Sequence, residues 1–373
     1  MSVISFLKNN LKNVQGWKTK RRLLAFAVDD YGNIRVANLK AKDNLLQKGV
    51  KLDNRFDQFD ALDTREDYEM LFDVLGSVKD KKGNTAIFTL YALPCNTDYQ
   101  KTIEADCFIP ENLDLTYKKL GTLDSAYDRA YEVLLEGIHD NLIKPQFHGR
   151  EHLNVNLFNA LLKDKTPQLL ANIESQSLAG VPNHPSYPKV GFNQAFAFWK
   201  EEEVELHKEI LKDGLERFEQ VYGYKSITFT PPSQQLHANL YAYVGSLGVK
   251  GVDKARATMR HKGEGVYVKE HNILGESGLG DTTTIVRNCV FEPTDGDIDW
   301  VNLTLKQIEA AFFWGKPAIV SSHRVNFCGQ IDPENRKKGL IALKSLLDKV
   351  VNKMPDVEFV SVDELVHVMN SDL

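Results

Sequence analysis

Along the chain, short apolar runs alternate with stretches in which apolar positions recur every three or four residues. Runs rich in Val, Ile, Leu and Phe at 23–28, 86–91, 142–148, 227–230, 249–252, 283–290, 318–321 and 357–360 read as strands. Most are bounded by Gly, Pro or Asn, residues that punctuate strands. Residues 123–141 read as a helix with Ala126, Ala130, Val133, Leu134 and Ile138 on one side. Residues 201–221 read as another, with Val204, Leu206, Ile210, Leu211, Leu215 and Phe218. Strands alternating with helices predict a largely parallel sheet or barrel. Near the end, Asp332 and Pro333 open a helix whose face is Leu340, Leu343, Leu346, Leu347 and Val350. Pro355 ends it, and Ser361-Val-Asp-Glu364 has the form of a capping box opening a last helix. Residues 94–123 carry little pattern and read as a long loop or small insertion.

Composition narrows the class. Apolar residues make up 42% of the 373 and charged residues 26%, an ordinary folded composition. The length exceeds the ~250–300 residues at which one core usually stops growing. Two domains fit that length, and so does one α/β barrel with insertions. The net charge of −5 argues against a nucleic-acid coat or a basic membrane-binding face. The residues before Lys8 lack the apolar stretch of a signal peptide, and no later run is long enough for a membrane helix. Cys95, Cys107, Cys289 and Cys328 form no C-x-x-C pair and no disulfide framework. The chain therefore reads as cytoplasmic, the alternative being a leader already removed.

Charged and histidine residues gather at the ends of the predicted strands. Asp29-Asp30 closes the first, before Tyr31-Gly32. Two carboxylates there suit one metal ligand and one general base, although aspartates also simply open turns. His148 and His152 follow the third strand at a spacing that puts two imidazoles on one helical face. With Asp30 they make a set of two histidines and one carboxylate, suited to zinc, or to iron, cobalt, nickel or manganese, with open positions for water and substrate. The same residues also read as H-x-x-E-H, a zinc-peptidase motif with Glu151 as base. That reading needs a helix where Pro145 and Gly149 oppose one, and it leaves Asp29-Asp30 idle. His323, after the run 318–321, is a candidate acid. Its neighbour Arg324 is a candidate to tune it or touch substrate. One of Asp295, Asp297 and Asp299 is placed to orient His323, and Trp300 to wall a sugar site. Pro231-Pro232-Ser233 ends another strand and offers a backbone N–H to an oxyanion. His184 sits in a Pro-rich loop. His207, His237, His261, His271 and His367 read as solvated, and Gly275, Gly278 and Gly280 as a flexible loop without the context of a phosphate site.

This order of motifs resembles the NodB-like polysaccharide deacetylases, carbohydrate esterase family four and its relatives. Asp29 and Asp30 resemble that family's base and metal ligand, and His148 and His152 its two histidine ligands. Pro231-Pro232 resembles its third motif, Asp297-Ile-Asp299-Trp300 its fourth, and His323 its general acid. Ala27-Val28-Asp29-Asp30-Tyr31-Gly32 departs from the usual first motif and looks more like the related chitooligosaccharide deacetylases. The third motif lacks the family's arginine, Thr230 standing two residues before Pro232. The resemblance implies a distorted (β/α)7 barrel over residues 23–373, preceded by an extension at 1–22, with insertions near 94–123 and 153–225. It also implies a metal-dependent hydrolase that removes an acetyl group from an N-acetylated sugar or oligosaccharide. The alternatives are a zinc peptidase or other hydrolase, and a carbohydrate-binding protein on the same barrel without catalysis. The sequence does not give the oligomeric state.

Overall fold

The first apolar run becomes strand β1, Arg22–Tyr31, in a computed structural model that describes residues 9–371. Residues 1–8 of the expected extension, and with them the question of a leader, lie outside the described residues. The next runs give β2 (Phe88–Ala92), β3 (Ile143–Phe147), β4 (Thr228–Phe229) and β5 (Gly251–Asp253). The run 283–290 breaks in two, β6 (Thr283–Ile285) and β7 (Cys289–Val290). β8 (Ala318–His323) and β9 (Val357–Phe359) complete the set. The strands lie in the order β6-β5-β4-β3-β2-β1-β8-β7, with β9 on the lower part of β1. All of these pairings are parallel.

That order curls the sheet. Its end strands, β6 and β7, are consecutive in the chain and joined only by Val286-Arg287-Asn288. Four residue steps from Ile285 to Cys289 span at most ~14 Å. The two ends of the sheet must therefore lie side by side, and the ring closes through one broken strand. Asn288 holds the break from outside. Its carboxamide donates to Pro317 O (2.9 Å) and to Asn13 Oδ1 (2.9 Å) and accepts from Ile319 N (2.8 Å). Arg287, one residue earlier, turns the other way, as neighbours on an extended chain do.

β1 shows how the two faces are used. Leu24, Phe26 and Val28 enter the large core between sheet and helices. Leu23, Ala25 and Ala27 face a second cluster with Ile285, Ile319 and the last helix, Val362–Ser371, through Val362, Leu365, Val366 and Met369. The predicted capping box starts that helix: Ser361 N donates to Glu364 Oε2 at 2.9 Å and Glu364 N to Ser361 Oγ at 3.4 Å. Asp332 caps the helix Pro333–Lys353 as expected.

Two readings change, and one hairpin is new. The helix expected over 123–141 is a 3-10 turn, Ser125–Tyr127, and a helix, Ala130–His139, parted at Arg129, whose φ is +57°. Residues 94–123 are ordered structure rather than loop. Cys95–Thr97 pairs antiparallel with Pro110–Asn112, and the helices Tyr99–Ala105 and Leu113–Leu123 follow these strands. A second hairpin, Ala257–His261 with Tyr267–His271, gave no readable alternation. Within 153–225 lie the helices Val155–Lys163, Pro167–Glu174 and Glu203–Tyr222. No helix among the described residues is long and apolar enough to cross a membrane.

Candidate metal centre

The paired registers carry the chemistry to one end of the ring. Phe147 pairs with Phe229 and Phe229 with Val252, so His148, Thr230 and Asp253 follow at one level. Asp29 pairs with His323 across β1 and β8. This is the C-terminal end of the strands, where barrels of this kind hold their sites. A cavity of about 530 Å³ opens there, lined by Asp29, Asp30, His148, His152, Arg287 and His323 among others.

Asp29 continues the parity of Leu23, Ala25 and Ala27 and so points into the ring. Asp30 by the same alternation would face the helices. It does not, because the pairing of β1 with β2 slips between Val28 and Tyr31 and Asp30 takes a φ of +77°. The sequence placed the two aspartates in a turn after the strand. They stand instead in the strand, turned to one site by a bulge. Left-handed backbone at a non-glycine residue costs ~1–2 kcal/mol, and aspartate is among the residues that bear it best. Gly32 follows at φ +81°, where a Cβ would lie 2.5 Å from Leu93 O.

His148 and His152 sit in a loop between β3 and the helix that begins at Val155, not on a helical face as their spacing implied. Gly149, at φ +115°, breaks any helix between them. His148 Nδ1 donates to Thr230 O (2.7 Å), which leaves Nε2 as the lone-pair nitrogen. That Nε2 lies 3.3 Å from Asp30 Oδ1, and His152 Nε2 lies 3.0 Å from the same oxygen. One ligand atom from each of the three residues falls within 4.8 Å of the other two. The trio fits a divalent ion, with the Thr230 carbonyl orienting one imidazole from behind. Burial would raise the Asp30 carboxyl, but His152 and His148 hold it well below the usual carboxylate range.

Arg287 was not foreseen as part of the site. Its two Nη atoms grip both oxygens of Asp29 at 2.7 Å each. Nη1 also donates to Ser321 Oγ (3.2 Å) and Nη2 to Thr230 Oγ1 (3.1 Å). Nε lies 2.6 Å from Asp253 Oδ2, and the guanidinium carbon sits 5.1 Å from the centre of the Tyr91 ring. The guanidinium that holds Asp29 thus comes from the break between β6 and β7, whereas the residue two before Pro232 is Thr230. Its signal in the sequence was a lone charge inside the apolar run 283–290.

Across the cavity, His323 Nδ1 is 2.7 Å from Glu292 Oε1. Glu292 is itself held by Arg55 and by Asn326 Nδ2 (2.7 Å). Burial would lower the His323 pKa, but the Glu292 carboxylate outweighs it and pushes the imidazole up to about 9. The carboxylate behind His323 is therefore Glu292, not one of the acidic loop.

Several expected residues stand elsewhere. Asp299 is exposed and caps the helix Trp300–Phe313, accepting from Asn302 N (3.1 Å), while Trp300 Nε1 donates to Asp295 O (2.9 Å). Neither lines the cavity; a capping aspartate imitates a site motif because it too sits beside an element's end. Arg324 is fully buried, facing away with Asp60 (2.7 Å) and Asp63 (3.4 Å). Glu151 is buried in an ion pair with Arg150 (2.5 Å) outside the cavity lining, and no helix carries His148 and His152, so the H-x-x-E-H reading finds no support. Ser233 lines the cavity at φ +53° with its hydroxyl on Asn193 O (3.1 Å), while Pro232 is buried behind it. His184 pairs with Asp164 (2.9 Å) outside the cavity lining. His207, His237 and His261 are buried rather than solvated, and burial lowers His207 to about 4.

Solved structures similar to this chain over nearly its whole length were found. A putative polysaccharide deacetylase from Mycobacterium smegmatis is 11% identical, with a TM-score of 0.45 over 95% of this chain and 93% of that one. A probable polysaccharide deacetylase from Pseudomonas aeruginosa is 8% identical, with a TM-score of 0.44 over 93% and 91%. Puue allantoinase is 9% identical, with a TM-score of 0.45 over 94% and 91%. No family model and no curated protein matches the chain.

Proposed function

We propose that the protein is a metal-dependent deacetylase that hydrolyses the amide of an N-acetylated sugar or oligosaccharide. The carrying observation is the convergence of Asp30, His148 and His152 at one point of the cavity, with Asp29 gripped by Arg287 beside them and His323 backed by Glu292. Asp30, His148 and His152 would hold the ion, zinc by expectation. A divalent ion there supplies Lewis acidity toward the amide carbonyl and the attacking water.

The residues divide the proton work. Asp29 takes the proton of the attacking water on a lone pair that Arg287 leaves free. The guanidinium fixes the plane of that carboxylate through its two 2.7 Å contacts. Buried Asp253 balances part of the guanidinium charge. His323 donates from Nε2 to the departing amine, because Glu292 occupies its Nδ1. Ser233 lines the same cavity. The reading includes a cytoplasmic setting, in keeping with buried thiols at Cys95, Cys289 and Cys328.

Elemental analysis of the purified protein, followed by acetate release from a panel of N-acetylated sugars, tests the proposal. It expects about one equivalent of metal per chain and acetate release that a chelator abolishes. Protein that binds oligosaccharide but neither metal nor acetyl groups would be a carbohydrate-binding protein instead.

A further inference from the structure

The cavity lining pairs its charges unequally. Its carboxylates are Asp29, Asp30 and Asp253, and its permanent cations are Arg35, Lys254, Arg256 and Arg287. Asp29 and Asp253 both pair with Arg287, Asp30 lies between two histidines, and Arg35 pairs with Asp57 (2.6 Å). Lys254 and Arg256 remain. The Lys254 ammonium lies 4.2 Å from the centre of the Tyr241 ring. The Arg256 guanidinium donates to the main-chain carbonyls of Leu11 and Lys12, which do not cancel its charge. Burial lowers the pKa of Lys254, as happens to an ammonium short of counter-charge, with Glu270 and Glu276 opposing from farther off.

Position makes this pair useful. Lys254 directly follows β5, whose last residue, Asp253, anchors Arg287. The two cations are thus carried by the element that also steadies Asp29. With Arg35 matched by Asp57, the three carboxylates balance Arg287, Lys254 and Arg256, so a divalent ion on the floor would make the cavity positive, in a chain whose net charge is −5. Such a focus of one sign in a cleft attracts the opposite sign.

We infer that the substrate carries an anionic group, a carboxylate or a phosphate, which Lys254 and Arg256 bind, so that the preferred substrate is an acidic or phosphorylated N-acetylated sugar and not a neutral oligosaccharide. The inference rests on the deacetylase reading only for the word substrate; the anion site stands on the lining itself.

Calorimetry on the metal-loaded full chain tests it, with N-acetylglucosamine 1-phosphate, N-acetylgalactosaminuronate and neutral N-acetylglucosamine as probes. Acetate release is followed in parallel. The acidic sugars should bind about tenfold tighter than the neutral one at low salt. High salt, Lys254→Gln and Arg256→Gln should each shrink that advantage. Lys254→Gln is the safer variant, since Arg256 also holds the chain at Leu11 and Lys12. The two acidic probes tell carboxylate from phosphate. Equal binding of neutral and acidic sugars overturns the inference. So does a preference that both substitutions leave intact, since the anion would then sit on the metal alone. Absence of acetate from every sugar, with the preference and its loss in the variants preserved, sinks the deacetylase reading and keeps the anion site.

Discussion

At the scale of single residues, the two neighbouring aspartates do different things because one backbone angle separates them. Asp29 keeps the strand's alternation and meets Arg287, while Asp30 leaves it at φ +77° and meets the histidines. Their substitutions should therefore separate binding from turnover. Asp29→Asn should retain metal by elemental analysis and lose ~10²–10⁴-fold in kcat, the usual worth of a positioned base. His148→Ala should lose the metal itself. Retained turnover in the first variant would remove Asp29 as the base. His323 makes a second prediction. With its pKa pushed up to about 9 by Glu292 against the effect of burial, it stays protonated through neutral pH. The alkaline limb of kcat/KM should lie near that value, and Glu292→Gln should move it to lower pH. The sign for stability is the same. What the pair adds to folding is complete below the unfolded histidine value, near ~6.5, and is lost as pH rises through about 9. Denaturation of wild type and Glu292→Gln across that window measures the fading difference.

At the scale of elements, the last helix supplies the side chains on which the inner face of β1 packs. Val362, Leu365, Val366 and Met369 fill the cluster inside the ring, and Leu365 is fully buried. Leu365→Ala should cost ~2–5 kcal/mol, read as a lower denaturant midpoint with metal content unchanged. Strands were legible because each is a short apolar run with clear ends, and the position of every strand in the ring has its counterpart in those runs. Residues 94–123 were not legible because their strands are three residues long and share no period with the helices between them. The bulge at Asp30 depends on how β1 pairs with β2, sixty residues downstream in sequence, and no local pattern carries it. Glu292 and Arg287 were overlooked for a related reason: each is a single charge whose partner is distant in sequence, whereas Asp299-Trp300 looked like a motif and serves its own helix. Arg324 drew notice only as the neighbour of His323, and strand alternation already turns it to the opposite face.

At the scale of the whole molecule, the ring depends on the break at Val286-Arg287-Asn288. Asn288→Ala would leave Pro317 O and Ile319 N without their buried partner, at ~1–3 kcal/mol for the unsatisfied groups. Urea denaturation should register that loss. kcat should fall as well, because Arg287 is the next residue, and unchanged kcat would show that the grip on Asp29 survives a loosened seam. The same break bears on the order in which a growing chain acquires its chemistry. Asp30 and His148 lie 118 residues apart, but Asp29 and Arg287 lie 258 apart. A ribosome adding ~5–20 residues per second has both histidines out on the order of ten seconds before the arginine exists. For that interval the nascent chain owns all three candidate ligands and an unrestrained Asp29. If the proposed function holds, ion capture can precede hydrolysis during synthesis, and a chain that stops short of the break would compete for metal with no means of using it.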